Sequence, residues 1–290
     1  MITLDQGGGG RPFVDAMPPP RPLAGLVEET AILRSDLVPV TGAWRIVPDT
    51  SAHLIFHRYR RGRTSLMVVG PRTRHVDVTQ SERQLTVVVR FRPGALPFLT
   101  GTSAWELRDM SVDAAALFGA PGAEAAERLA SVSRPAEVRD ALQSMLLARV
   151  ARLDAGRGEV DWRMRGLFTA LLGRRASNVR HAARSLGVGE RSLRAVTRDL
   201  VGLRPKEAAR IVRLHRAVAL SLAGCADADT AHRAGYSDQS HCIREFKRLL
   251  GETPRAFRAR GLSGPVPPRG RDSQVLSHGR DRPAPSRERE

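Results

Sequence analysis

Two periodicities divide the 290-residue chain. Between Leu23 and about Phe98, apolar positions alternate with polar ones, the period of strands that bury one face. Candidate strands are 43–47, 53–58, 65–69, 75–78 and 84–91, separated by turn signals at Pro48-Asp49, Arg61-Gly62-Arg63, Gly70-Pro71 and Pro93-Gly94. Several short strands at this spacing predict a small sandwich or barrel. After a transition at 96–119 the period lengthens to that of helices. One helix is expected at 124–131. A second, at 135–153, carries the stripe Val138, Leu142, Met145 or Leu146, Arg149 and Val150. That stripe suits packing on the β region or a dimer seam. Residues 154–159, with Gly156 and Gly158, read as a linker, and 161–172 opens an all-helical second half. The Gly- and Pro-rich leader 1–22 and the Pro-, Arg- and Ser-rich tail 261–290 read as disordered.

Within the second half one pattern is written twice. Ala183, Gly187, Leu193, Gly202 and Pro205 stand at steps of 4, 6, 9 and 3. Ala231, Gly235, Cys242, Gly251 and Pro254 stand at steps of 4, 7, 9 and 3. An internal repeat is settled before weaker signals. In each copy a short helix runs to a glycine suited to a turn with positive φ, and a second helix runs on to another glycine. Helix, tight turn, helix is the plan in which the second helix lies in the major groove of DNA. In the first copy Ser177 is the expected N-cap, and the second helix spans 190–201 with Leu193, Val196 and Leu200 inward. In the second copy the helices are 229–234 and 238–250, with Cys242, Phe246 and Leu249 inward. A long helix over 205–222 joins the units, and Thr253-Pro254 opens a last short one.

Charge sharpens this picture. The chain holds 47 Lys and Arg against 30 Asp and Glu, a net +17, and residues 174–260 hold 19 against 8, a net +11. Such an excess favours an anionic partner. The outward positions of the two candidate reading helices are Arg191, Arg194 and Arg198 in one, and Gln239, Ser240, Arg244 and Lys247 in the other. Arg and Gln pair bidentately with base edges, while Lys and Arg neutralise phosphates. Base contacts are expected from Arg191, Arg194, Gln239, Ser240 and Arg244, and phosphate contacts from Arg198 and Lys247. The competing reading, a helical repeat used only for packing, leaves this charge unexplained.

Other chemistries fit less well. His53 and His57 share a strand face but lie about 13 Å apart, too far to clasp one ion with His75 at bonds of about 2.1 Å. No nucleophile elbow, zinc-binding helix or phosphate loop is present. No catalytic residue, metal or cofactor is therefore expected, and the chain is not read as an enzyme. The alternatives are a non-specific DNA-architectural protein and, behind it, a metal-dependent β-domain enzyme fused to a DNA-binding module. Cys225 and Cys242 do not make a disulfide framework. Trp44, Phe56, Phe91 and Phe98 suit either a core or the lining of an apolar ligand pocket. The longest apolar runs fall far below the roughly 18 residues of a membrane span, and 1–10 lacks a signal pattern. A soluble, cytoplasmic protein is expected.

The second copy, Ala234-Gly-Tyr-Ser-Asp-Gln-Ser-His-Cys-Ile-Arg-Glu-Phe-Lys-Arg248 followed by Gly251-Glu-Thr-Pro-Arg-Ala-Phe-Arg258, resembles the signature of AraC/XylS-type transcription regulators. The first copy resembles it more loosely. Thr197 stands where that family usually has a core aromatic, Ala195 where it often has a polar or basic reader, and Cys242 where an aromatic is common. Trp44-Arg-Ile-Val-Pro-Asp49 and Arg90-Phe-Arg-Pro-Gly94 are similar to the cupin-like regulatory domains attached to such regulators. The resemblance implies an α+β chain: a small β-sandwich or barrel, then an all-α domain with two helix-turn-helix units. The expected organisation is a leader at 1–22, a β-rich sensor domain at 23–120 and a helical connector or dimerisation segment at 121–155. A DNA-binding domain at 156–260, with units at 177–201 and 229–250, and a tail at 261–290 complete it. Expected partners are promoter DNA and, by the same resemblance, RNA polymerase, a small-molecule effector in the N-terminal domain and a second copy of the chain, with no membrane.

Overall fold

A computed structural model describes residues 13–34, 43–79, 83–154, 180, 183–184 and 187–260. The linker at 154–159, the 161–172 segment and the Ser177 cap lie essentially outside them. The α+β order holds: an antiparallel sheet region precedes a helical C-terminal half. One sheet has six strands in the order β1-β2-β7-β4-β5-β8, formed by β1 (Phe13–Met17), β2 (Val27–Arg34), β4 (His53–Tyr59), β5 (Thr64–Val69), β7 (Arg83–Phe91) and β8 (Ser111–Asp113). A two-stranded sheet pairs β3 (Ala43–Ile46) with β6 (Val76–Thr79).

All five expected strands form, and three further ones do too. Residues 13–22, placed in a disordered leader by their composition, are ordered. Strand β1 pairs along its length with β2, and a 3-10 turn at Arg21–Leu23 drops Leu23, 1% exposed, into the core. Pairing along an edge and one buried leucine offset the ordering cost that the Gly and Pro content implies. Strand β2 escapes detection because its register shifts between Val27 and Glu29. Such a bulge breaks strict alternation. Strand β8 is too short to show a period.

One face of the large sheet is covered by α1 (Ala95–Thr100), α2 (Ala114–Phe118), α3 (Ala120–Ser131) and α4 (Pro135–Asp154). Leu54, Phe56, Val87, Val89 and Phe91 meet Leu99, Leu129, Val138, Leu142 and Leu146 there. Phe56 and Phe91 are thus core residues, with Phe98 packed against the same cluster; the side chain of Trp44 lies outside the described residues. Val138, Leu142, Met145 and Leu146 of the α4 stripe are buried within their own domain, and Val150 packs partly buried against the same cluster.

The C-terminal half contains α5 (Glu190–Val201), α6 (Pro205–Leu222), α7 (Asp227–Ala234), α8 (Gln239–Leu250) and α9 (Pro254–Arg260). It docks on the β domain beside an ionic cluster. Asp49 accepts from Arg90 at 2.7 and 2.9 Å and from the Ser51 amide at 3.0 Å. Next to it His215 of α6 bonds the Pro48 carbonyl at 2.5 Å. Burial pushes the His53 imidazole down to about 4; Arg90 adds to this and Asp49 opposes it. Arg90 already supplies the positive charge beside Asp49, so His53, 3.5 Å away, stays neutral. Burial likewise lowers His215.

Candidate nucleic-acid interface

At the five repeat positions the described residues of the two copies are alike. Ala183 and Ala231 are 2% and 1% exposed, and each accepts a backbone bond from five residues on, Val188 N at 3.0 Å and Tyr236 N at 2.9 Å. Gly187 and Gly235 take φ of 65° and 92°, the left-handed region that lets the chain reverse between helices. Leu193 and Cys242 are 1% and 2% exposed, and burial pushes the Cys242 thiol up to about 11. Gly202 and Gly251 have φ of 71° and 74°, and each donates to a carbonyl four residues back at 2.9 Å. Pro205 and Pro254 then open the next helices at N1, where a missing N–H costs nothing.

Cores fix which face of each helix remains outside. In α8, Cys242, Phe246, Leu249 and Leu250 turn inward, and Phe246 meets Phe257 edge to face at 6.0 Å. Asp238 caps the helix by accepting from the His241 amide at 2.7 Å. This leaves Gln239, Ser240, Arg244 and Lys247 exposed on one side. In α5 the inward residues are Leu193, Thr197 and Val201. The Thr197 hydroxyl, fully buried, donates to the Leu193 carbonyl at 2.6 Å, which satisfies it without an aromatic neighbour. Arg191, Arg194 and Arg198 are exposed.

Val196 departs from the expectation: it is 41% exposed rather than inward. The i, i+4, i+8 seam through Leu193 and Val201 takes Thr197 inside instead. Val196 is thereby an apolar residue left on the outside of α5. A helical wheel centred on Thr197 identifies it only once that threonine is accepted as core.

Charges on this side differ in readiness. No ion pair among the described residues holds Arg191, Arg244 or Lys247. Arg194 pairs with Glu190 at 2.7 Å, an i, i+4 surface contact that a phosphate or guanine can displace at small cost. The Arg198 guanidinium lies 4.4 Å from the ring centre of Trp105 in the β domain. His57 is buried and bonded to Thr86 Oγ1 at 2.9 Å, so it is not a surface residue. Among the described residues no cluster of three His, Cys, Asp or Glu could hold a metal ion. No described helix is long and apolar enough to cross a membrane.

A family of helix-turn-helix domains matches residues 182–260, and a domain of unknown function (DUF6597) matches residues 15–113. No curated protein matches the chain. Among solved structures, ToxT from Vibrio cholerae O395 is similar at 10% identity and a TM-score of 0.43, over 82% of this chain and 98% of that one. A transcriptional regulator with an AraC-type DNA-binding domain from Chromobacterium violaceum is similar at 20% identity and a TM-score of 0.32, over 34% and 90%. The C-terminal domain of AraT from Geobacillus stearothermophilus is similar at 17% identity and a TM-score of 0.33, over 42% and 97%. At these scores the structural likeness is loose, and the assignment rests on the domain match and the duplicated geometry. Residues 182–260 are a helix-turn-helix domain, and within it the unit is built twice.

Proposed function

We propose that the protein is a sequence-specific transcription factor that inserts α5 and α8 into successive major grooves on one side of a promoter. The exposure of Arg191 and Arg194 on one helix, and of Gln239, Ser240 and Arg244 on its repeat counterpart, carries this reading. These side chains project from the N-terminal halves of helices built to enter a groove. Lys247 and Arg198 serve the phosphate backbone, Arg198 after leaving Trp105. Grooves on one face lie about 34 Å apart, so DNA either matches the helix spacing or bends to it.

The same reading assigns 23–120, extended at its start by β1, to a regulatory domain. It assigns 121–155 to a helical connector, 156–260 to the DNA-binding domain and 261–290 to a tail. A small-molecule effector bound by the regulatory domain, RNA polymerase and a second copy are the further partners it supposes. The role is non-enzymatic and belongs to the cytoplasm.

Selection of duplexes from a random pool by the full chain, followed by competition with unrelated DNA at moderate salt, tests it. A regulator keeps its selected site by about a thousandfold or more. Equal loss to any competitor would make the protein a non-specific architectural one, driven by its net +17.

A further inference from the structure

The β domain closes the C-terminal ends of both reading helices. A helix leaves its last four carbonyls without internal partners. At the end of α5 the Asp199 carbonyl accepts from the Ala104 amide at 2.8 Å, and Ser103 Oγ donates to the Asp199 carboxylate at 2.9 Å. At the end of α8 the Leu249 carbonyl accepts from the His75 amide at 3.2 Å, with His75 Nδ1 2.9 Å away. The Leu250 carbonyl accepts from Arg45 Nη1 at 2.8 Å.

Arg45 is built for this place. Its side chain is 1% exposed. Asp77, directly opposite across the β3–β6 pair, accepts from its Nε and Nη2, both at 2.7 Å. That leaves Nη1 aimed at Leu250 and, at 3.4 Å, at Glu252. A guanidinium here also faces the negative end of the helix dipole. Val47, just past β3, packs on the core of the second unit. The connecting helix is gripped as well, through His215 on Pro48 and through Arg108 on Glu207 at 2.8 and 3.2 Å.

We propose that the β domain is the gauge that sets the distance and rotation between the two reading helices. Arg45 is a positioning residue, through which this chain accepts one spacing between DNA half-sites. A lone connecting helix is one point of attachment that can flex; contacts at both helix ends and at the connector make three. The bracing does not cover the reading surface. The gripped ends lie on the order of 15 Å along each helix from the first turns that meet bases, and Arg191, Arg194, Gln239, Ser240 and Arg244 remain exposed. The inference rests on the two-groove reading above.

The test uses the full chain and bipartite duplexes selected from a random pool. Their half-sites are then moved apart one base pair at a time, each step adding about 3.4 Å and about 34° of rotation. Wild type is expected to lose about tenfold or more on one inserted base pair, the scale of a mismatch. Arg45→Ala should lose less than about threefold, while binding a duplex with the α8 half-site alone as wild type does. Ser103→Ala/Arg108→Ala, which alters half-buried groups at the α5 end and on the connecting helix, should relax spacing likewise, and decides the matter if Arg45→Ala does not hold its half-site. Variants as strict about spacing as wild type would overturn the proposal. So would variants that bind every duplex more tightly than wild type, since the β domain would then be holding the helices shut. If wild type selects no bipartite site, the two-groove reading itself fails, whatever the variants do.

Discussion

Arg210 of α6 and Glu245 of α8 form a two-pronged ion pair, Nε to Oε2 at 2.6 Å and Nη2 to Oε1 at 2.9 Å. Both side chains are mostly buried, at 22% and 12% exposure. The pair ties α8 to α6, so that the orientation of α8 depends on a charged contact as well as on the Phe246 core.

Removing one partner strands the other in a largely dry site. Arg210→Ala and Glu245→Ala are each expected to destabilise the protein by about 2 kcal/mol. The double variant should cost less than the sum of the two, because neither charge is then left alone. Urea denaturation of the four proteins in a double-mutant cycle measures this; additive losses would mean that the contact contributes nothing of its own.

Base reading and backbone contact leave different signatures. Arg244→Ala should weaken the selected site by about 1–3 kcal/mol and relax preference at one base pair. Lys247→Ala should weaken all duplexes alike and lower the salt slope by about one. Binding of wild type and both variants to the selected site and its point mutants, over a range of salt, separates the two roles. Uniform weakening by Arg244→Ala would move that residue to the backbone class.

Gly187 and Gly202 both need the left-handed region, with φ of 65° and 71°, but their surroundings differ. A Cβ on Gly187 meets nothing within 4 Å, so Gly187→Ala should cost about 1–2 kcal/mol from backbone strain. A Cβ on Gly202 would lie 2.4 Å from the Ala104 carbonyl oxygen and 2.6 Å from Pro71 Cγ. Gly202→Ala should therefore cost clearly more and loosen the β domain from α5. Denaturant midpoints, together with protease sensitivity between the domains, check the ranking.

Acid should unsettle the docked arrangement in steps. His53 titrates near 4 in the folded chain against 6.5 for an ordinary histidine, and His215 is lowered too, both chiefly by burial. The unfolded chain thus takes up protons first, so stability is lost as pH falls from about 6.5 toward about 4. Burial tends to raise Asp49, yet the Arg90, His215 and His53 charges and the Ser51 amide hold it below its usual value. Its contribution is present above about 3.8 and fades as pH falls through its lower folded value. Unfolding free energy measured between pH 4.5 and 7.5 should slope upward with pH, and His53→Gln should flatten that slope.

The legible parts of this chain are those whose causes lie within a turn or two of sequence. Helices α5 and α6 begin and end where the glycine and proline steps put them, since a left-handed Gly202 and an N1 Pro205 act on their own neighbours. The exposure of Arg191, Arg194 and Arg244 follows from the same local periodicity. Alternation reveals β4, β5 and β7 because one face of each is buried, whereas β2 hides behind a bulge and β1 behind a composition that suits disorder.

Contacts between distant stretches settled the rest. Whether Val196 or Thr197 turns inward depends on the rotation of α5 against its neighbours, which a hydropathy pattern does not encode. Arg45 and Leu250 stand 205 positions apart, and His215 and Pro48 stand 167 apart. Arg45 lies in the Trp44–Asp49 motif, but nothing in that motif says what its guanidinium holds. Its partners come together only when the sheet and the helices dock, because a buried guanidinium takes its role from whichever carboxylate and carbonyl the fold brings within reach.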